Sequence, residues 1–452
     1  MPNGGFTNAP PPGILARLAV DGREVAGGNG AAGFEPASTT GSVHIRKVHI
    51  RVVESTMNIA QLAPPFEAIP PVGYGGTERV VHTLTEELIR RGHEVTLFAS
   101  GDSQTSARLV PTCDQALWRG ESAYTDFAPL LSVTLGKAWR ELDNFDVVHS
   151  HLDHIGFALT RQTSTPVVTT LHGRLDRPEH KALYREFADV PLVSISYAQR
   201  TPVAWANFVA TVYHGIDLEQ FTFNPLPDSY LAYLGRVSPD KGLDTAIRVA
   251  RRAGLPLRVS ARMPLPVRSD LNSPVDWDYW EHVVQPLLGS DVELVGEVAG
   301  AQKDTLLRNA AALLFPIRWP EPFGLVMVEA LACGTPVVAL RGGSVPEVVR
   351  DRVTGFICDT EDELVVAVGK LGGLDRWICR REAEQRFSPA AMARAYERVY
   401  ERVIGTTRQQ EILTLTLPPR QAVSVNGSDG TPPQHVEIYR GAANVHGRKQ
   451  ER

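Results

Sequence analysis

From Met57 onward, short apolar runs alternate with stretches whose apolar residues recur at helical spacing. MNIAQLA (57–63), HEVTLFAS (93–100), FDVVHS (145–150), PVVTTLH (166–172), VPLVSIS (190–196) and FVATVYHG (208–215) read as strands. Between the first two, Val80, Val81, Leu84 and Leu88 share one face of a helix over 77–91, which Gly92 ends. A second series begins at Tyr230: LAYLGR, a helix over 242–253, LPLRVS, a helix near 276–288, VELVG, a helix over 301–309, and ALLFP. Further helices are predicted near 361–371 and 374–386, and the last periodic segment is Pro389–Val403. Such alternation predicts parallel sheets covered by helices on both faces. Two series predict two Rossmann-like, doubly wound α/β domains with a cleft between the C-terminal ends of their sheets. The polar, Pro-containing LEQFTFNPLPDS (218–229) is the candidate hinge.

Both ends of the chain break the pattern. Residues 1–56 are rich in Gly, Ala and Pro and 406–452 are polar and aperiodic, so both are expected to be disordered. The strand that opens at Met57 also admits an overlong start-site assignment. The remainder fits two large domains within 452 residues, and 43% hydrophobic with 21% charged residues is ordinary for a globular protein. No run of 18 apolar residues or secretory signal is evident, so no transmembrane helix is expected. Four cysteines without CxxC spacing point to free thiols in a reducing cytoplasm, not to zinc or disulfides. A net charge of −5 gives no reason to expect nucleic acid as a partner. Peripheral contact with anionic lipid depends on how Arg90, Arg91, Lys137 and Arg140 cluster in space.

The stretch from Phe315 to Glu347, FPIRWPEPFGLVMVEALACGTPVVALRGGSVPE, carries the chemistry. Glu321 precedes a helix opening at Gly324 and Glu329 lies inside it. Eight helical steps would part the two carboxylates by ~12 Å along the axis. That exceeds the roughly 5–9.5 Å of a glycoside hydrolase pair. They therefore suit two ends of a long ligand, with a helix N-terminus between them to attract an anion. Glu329 also sits in the apolar run LVMVEALA, where an unpaired carboxylate would be costly. A nucleotide-sugar has the required shape.

The E-x7-E pattern, with PFG after the first Glu and ALACGTPVVA after the second, closely resembles the retaining family 4 glycosyltransferases of the GT-B fold. The run GGTERVVHTLTEELIRRGHEVTLFASGDS resembles the opening of the same family, particularly the avilamycin-type subgroup. The resemblance covers residues 57–404. It implies a first domain over 57–222, a nucleotide-sugar domain over 223–387 and a helix over 388–405 crossing back to the first domain. It implies that Glu321 contacts hydroxyls of the donor sugar, that Glu329 holds the ribose, and that amides near Gly324 and Leu325 face the diphosphate. It also implies that His172, in TTLHGRLD, hydrogen-bonds the 6-hydroxyl of the transferred sugar.

Other motifs read toward the same site. In GYGGTE, Gly75 and Gly76 let backbone approach a ligand at a helix N-terminus, although the GxGxxG fingerprint is missing. In GRVSPDKG, Arg236 and Lys241 are two loop cations able to neutralise a departing diphosphate, as the family's Gly-Arg…Lys-Gly pattern implies. In VSARMPLP (259–266), Ala261 and Arg262 stand where relatives more often carry Gly and Lys. HSHLDH (His149, His151, His154, with Asp153) has metal-like spacing, but packing or acceptor hydrogen bonding is the favoured reading. Asp276-Trp277-Asp278 reads as a helix N-cap. Glu347 in RGGSVPE pairs with a cleft cation or serves structure. The expected activity is transfer of a hexose from a nucleoside diphosphate sugar to an acceptor hydroxyl, with no metal or other cofactor. The acceptor is a sugar, lipid or small molecule that the motifs do not fix. A sugar-nucleotide epimerase on this fold and a non-catalytic sugar-nucleotide binding protein are the rivals, with a nicotinamide dehydrogenase behind them.

Overall fold

The computed structural model describes residues 56–73, 75–118, 126–264 and 274–416. Of the two segments expected to be disordered, 1–56 and 406–452, residues 1–55 and 417–452 lie outside the described residues. Residues 406–416 do not follow that expectation, because they continue the last helix, Pro389–Thr416.

Two all-parallel sheets form the core. The first contains β1 (Asn58–Leu62), β2 (Glu94–Ala99), β3 (Arg108–Pro111), β4 (Val147–Ser150), β5 (Val167–Thr170), β6 (Leu192–Ser194) and β7 (Phe208–Thr211), in the order β3-β2-β1-β4-β5-β6-β7. The second contains β8 (Leu231–Arg236), β9 (Leu257–Arg262), β10 (Val292–Leu294), β11 (Ala312–Phe315), β12 (Val337–Leu340) and β13 (Gly355–Cys358), in the order β10-β9-β8-β11-β12-β13. Each order reverses direction once, between β1 and β4 and between β8 and β11. Ligands of open α/β sheets bind beyond the carboxyl ends of the strands at such reversals. The strands that end there carry GYGGTE, HSHLDH, GRVSPDKG and the FPIRWPEPFG turn.

Because the central strands are buried on both faces, alternate residues enter different cores. Ile59, Val95, Val147, Val168 and Val193 pack on the Gly76–Arg90 helix and on Tyr396, Val399 and Tyr400 of the last helix. Ala60, Leu62, Phe98 and Val148 face Leu131, Leu135 and Ala138 of the Ala128–Trp139 helix. Arg90 and Arg91 therefore lie on one face of the sheet and Lys137 and Arg140 on the other, so the four do not merge into one basic patch. Arg91 is also taken up by Glu397, which it meets through Nε and, at 2.7 Å, through Nη2.

Two helices differ from expectation. The segment over 276–288 is regular only for Pro274–Tyr279, then widens into a π-turn (Trp280–Val284) and tightens over Gln285–Leu287, where Pro286 removes a donor. Asp276 is in that helix's first turn instead of capping it, and Asp278 meets His282 Nδ1 at 3.1 Å. The helix predicted to 371 ends at Val368.

The crossing between domains comes earlier than residues 218–229. Val212 N–H donates to Ser194 O, the last ladder contact of that run with the first sheet. Thr222 N–H already donates to Asp304 Oδ1 (2.7 Å) and Asn224 N–H to Cys333 O (3.1 Å), both in the second domain. The linking residues are thus about 213–221. The return crossing lies against them, since Ile216 N–H donates to Phe387 O at 2.9 Å.

Candidate active site

A cavity of about 1030 Å³ opens between the carboxyl ends of the two sheets. All of the residues singled out in the sequence for donor contact and catalysis line it: Gly75, Gly76, His172, Arg236, Lys241, Glu321, Gly324, Leu325 and Glu329. The link between the domains makes one site of residues far apart in sequence. A Cβ on Gly76, at the first helix's N-terminus, would stand 3.5 Å from Leu325 Cδ1 at the start of the Leu325–Ala332 helix.

That helix is short, apolar and nearly all buried, so it cannot shift without opening the second domain's core. Gly324 precedes it with φ 76°, and a Cβ there would come within 2.7 Å of Met327 Cε. The turn before it is held from behind. Ser344 N–H donates to Glu321 O at 2.9 Å, and a Cβ on Gly343 would overlap the Glu321 backbone. Only glycine permits that approach. First-turn amides of a helix have no intrahelical partner, so this end can receive an anion.

Each glutamate of the motif is matched by a lysine. Lys241 Nζ donates to Glu321 Oε2 at 2.5 Å, and Trp319 Nε1 donates to the same oxygen at 3.0 Å. Lys241 also lies 4.8 Å from the centroid of the Trp319 ring. Glu329, 6% exposed, receives Lys303 Nζ on Oε1 at 2.6 Å. The buried carboxylate required a partner. Lys303 comes from the Gly300–Asn309 helix, and nothing in its local sequence separates it from an ordinary surface lysine. Arg236 ends β8 opposite Arg262 of β9, with its guanidinium 3.8 Å from Asp240. Arg262 itself lines the cavity, whereas residues 265–266 of its motif lie outside the described residues.

On the first-domain side, burial pushes Glu78 up to about 7, and Glu67 adds to the effect. Glu78 lines the cavity in the first turn after Gly75 and Gly76, a place the glycines alone did not mark.

The histidines form a buried polar chain. His149 bridges Tyr400 Oη (2.8 Å) and Thr170 Oγ1 (2.7 Å). His151 bridges Gln61 Oε1 (2.7 Å) and His172 Nε2 (2.8 Å). His214 stacks on His172 with centroids 5.2 Å apart. Burial lowers all four from the ordinary histidine range, His172 to about 3, so the chain is neutral. Among the described residues, no group of three or more His, Cys, Asp or Glu is arranged to hold a metal ion. Glu347 has a structural place. Its carboxylate accepts the Tyr197 and Ala198 N–H groups, both at 2.7 Å, and the Tyr213 hydroxyl at 3.0 Å. It fastens the RGG loop of the second domain to the first, beside Ser196 Oγ, which donates to Pro322 O at 2.6 Å.

Comparison with known proteins bears on the family and the fold. The family model described as Glycosyltransferase Family 4 matches residues 74–220, and that described as Glycosyl transferases group 1 matches 281–391. The D-inositol 3-phosphate glycosyltransferase of Mycolicibacterium smegmatis is 28% identical over 369 residues, 71% of this chain and 81% of that protein. Among solved structures, AviGT4, a glycosyltransferase involved in avilamycin A biosynthesis, matches with TM-score 0.58 and 24% identity over 77% of this chain and 98% of its own. Anabaena HepE in complex with UDP-glucose matches with TM-score 0.56 and 18% identity over 78% and 100%. At these identities the structures establish the shared architecture, two Rossmann-like domains in the GT-B arrangement.

Proposed function

The chain belongs to the glycosyltransferases that these two family models describe, and on that premise we propose that it is a retaining enzyme moving a hexose from a nucleoside diphosphate sugar to an acceptor hydroxyl. The observation that carries this reading is the pair of lysine-held glutamates on either side of a helix N-terminus that meets a glycine loop from the other domain. Glu329 would receive the ribose hydroxyls at one end of the donor, and Glu321 and His172 the sugar hydroxyls at the other. The diphosphate would lie between the Gly75–Gly76 loop and the Gly324–Leu325 amides. Binding of UDP-glucose by a protein of the same architecture supports a donor of this class.

In the proposed reaction the acceptor oxygen bonds to the sugar's anomeric carbon on the face from which the phosphate oxygen departs. The acceptor proton passes to that phosphate oxygen. Arg236 and Lys241 stabilise the charge on the leaving diphosphate, a role that calls for fixed cations and no metal. Closure about residues 213–221 would exclude water and limit donor hydrolysis.

The test is a thermal-shift and hydrolysis panel of UDP-, GDP- and ADP-sugars on wild type, Glu329→Ala and Lys241→Ala, with the anomeric configuration of the product read by NMR. One donor should stabilise the wild type and be slowly hydrolysed, both variants should lose the response, and the product should keep the donor's configuration. No shift by any nucleotide-sugar at millimolar concentration overturns the transferase reading, and an inverted product overturns retention.

A further inference from the structure

The two walls of the cleft differ in their cations. The second-domain wall presents Arg236, Lys241, Arg262 and Lys303 together with Glu297, Glu321 and Glu329, of which Glu321 and Glu329 hold Lys241 and Lys303. The first-domain wall presents Arg79 alongside Glu78 and Asp153, and the Arg79 guanidinium already donates to Gly73 O at 2.8 Å. The first-domain wall is also aromatic. Phe66 stacks on Trp118 with centroids 5.0 Å apart and meets Phe127 edge-on at 5.5 Å. Trp118 is 37% and Phe127 51% exposed, although both line the cavity. Such rings are costly to leave in water unless a ligand covers them.

The cavity lies at the upper end of the roughly 300–1,000 Å³ usual for small-ligand sites, and the aromatic cluster stands at its first-domain side. Asp153 stands on the same wall in a left-handed conformation (φ 48°) that non-glycine residues rarely hold, with Oδ1 accepting the His172 N–H at 3.4 Å. Burial raises the carboxyl of Glu78 beside it on this wall. Carboxyl groups bind hydroxyls well and phosphates badly. An aromatic platform beside them suits a ring with one apolar face and a hydroxylated rim.

We propose that Phe66, Trp118 and Phe127, with Asp153 and Glu78 beside them, form the acceptor subsite, and that it takes an uncharged glycoside in preference to a phosphorylated acceptor. The proposal rests on the transferase reading for what happens to that glycoside, but not for its binding. It sets this chain apart from the inositol-phosphate-named relative in the charge its acceptor carries.

The probes are p-nitrophenyl β-D-glucoside, octyl β-D-glucoside and glucose 6-phosphate, used on the full chain. Binding is measured by saturation-transfer NMR, and transfer is measured with whichever nucleotide-sugar the wild type hydrolyses. The wild type should bind both glycosides more tightly than glucose 6-phosphate. Trp118→Ala and Phe127→Ala should each raise the glycoside KM about tenfold, with donor hydrolysis within twofold and an unchanged far-UV spectrum. Trp118→Phe should restore most of the loss. Preference for glucose 6-phosphate, no binding of either glycoside, or variants with wild-type glycoside KM each overturn the proposal. A wild type that binds no nucleotide-sugar overturns the transferase reading instead, and the NMR comparison of wild type with Trp118→Ala still decides the subsite.

Discussion

Replacing Glu78 by Gln should stabilise the protein, and by more as the pH rises. Burial holds the Glu78 carboxyl at about 7 against an ordinary value of 4.5; Glu67 raises it further, while its own N–H and Arg79 act the other way. Each tenfold difference in proton affinity is worth about 1.4 kcal/mol, so the folded state favours the protonated form by roughly 3 kcal/mol. A carboxyl raised on folding leaves stability intact below about pH 4.5 and removes it as the pH climbs through 7. Glutamine keeps the shape and never ionises. The two proteins should therefore differ by less than ~1 kcal/mol at pH 5 and by ~3 kcal/mol at pH 8. For a fold of this size that is a gap of about 4 °C in Tm. The assay is thermal unfolding of both proteins from pH 5 to 8.5, repeated with the donor. Ionised Glu78 beside the glycine loop would oppose a diphosphate, so wild-type donor affinity should fall more steeply above pH 7 than the variant's. A gap that is constant with pH, or widest at low pH, refutes the reasoning.

The other predictions concern the charged pairs. Lys241→Ala should lower donor turnover about 10²–10³-fold with Tm changed by only a few degrees, and a turnover within threefold of wild type removes Lys241 from catalysis. Glu329→Gln and Lys303→Met each strand a buried partner and should cost about 3–5 kcal/mol. The double variant should cost clearly less than their sum, and strict additivity in denaturant unfolding would show that the two do not interact. Glu347→Gln keeps one acceptor where two backbone donors and a tyrosine hydroxyl converge. It should loosen the link between the domains, seen as faster amide exchange at Tyr197 and Ala198, and unchanged protection there would exclude the clamp.

Much of this was readable in the chain because parallel α/β folds write themselves in long, regular signals. Strand runs such as MNIAQLA and HEVTLFAS are apolar because both sheet faces are covered, and their positions match β1 and β2 closely. The glycines were legible because close backbone approach leaves no room for a Cβ, and the two motif glutamates because a carboxylate in or beside an apolar run must have a partner or a ligand. Their lysines were not equally visible. Lys241 sits in a motif, whereas Lys303 pairs with Glu329 only through tertiary packing of a polar helix. β3, Arg108–Pro111, was not predicted because its half-exposed edge position removes the need for an apolar run. The Phe66–Trp118–Phe127 cluster escaped because its members come from separate loops and a helix start that share no spacing.

The histidine chain shows how the crossing helix reaches the chemistry. Gln61 Nε2 donates to Tyr400 Oη at 3.2 Å, so that hydroxyl is left to donate to His149 Nδ1. His149 Nε2–H then donates to Thr170 Oγ1, whose hydroxyl is left to donate to Tyr396 Oη at 2.9 Å. On the other side of Gln61, Oε1 can only accept, which puts the His151 proton on Nε2 and makes His151 Nδ1 an acceptor. His172 must then donate from Nε2, and its Nδ1, buried and without a protein partner, carries a bare lone pair. A histidine so fixed cannot supply a proton from Nδ1, which does not suit acid catalysis. Tyr400 of the Pro389–Thr416 helix is the residue that meets Gln61 in this network, and the same helix begins just after Phe387, where the two interdomain crossings meet. The element that spans the hinge therefore also fixes the protonation of the residue beside the cleft, which ties domain geometry to the site through one rigid helix.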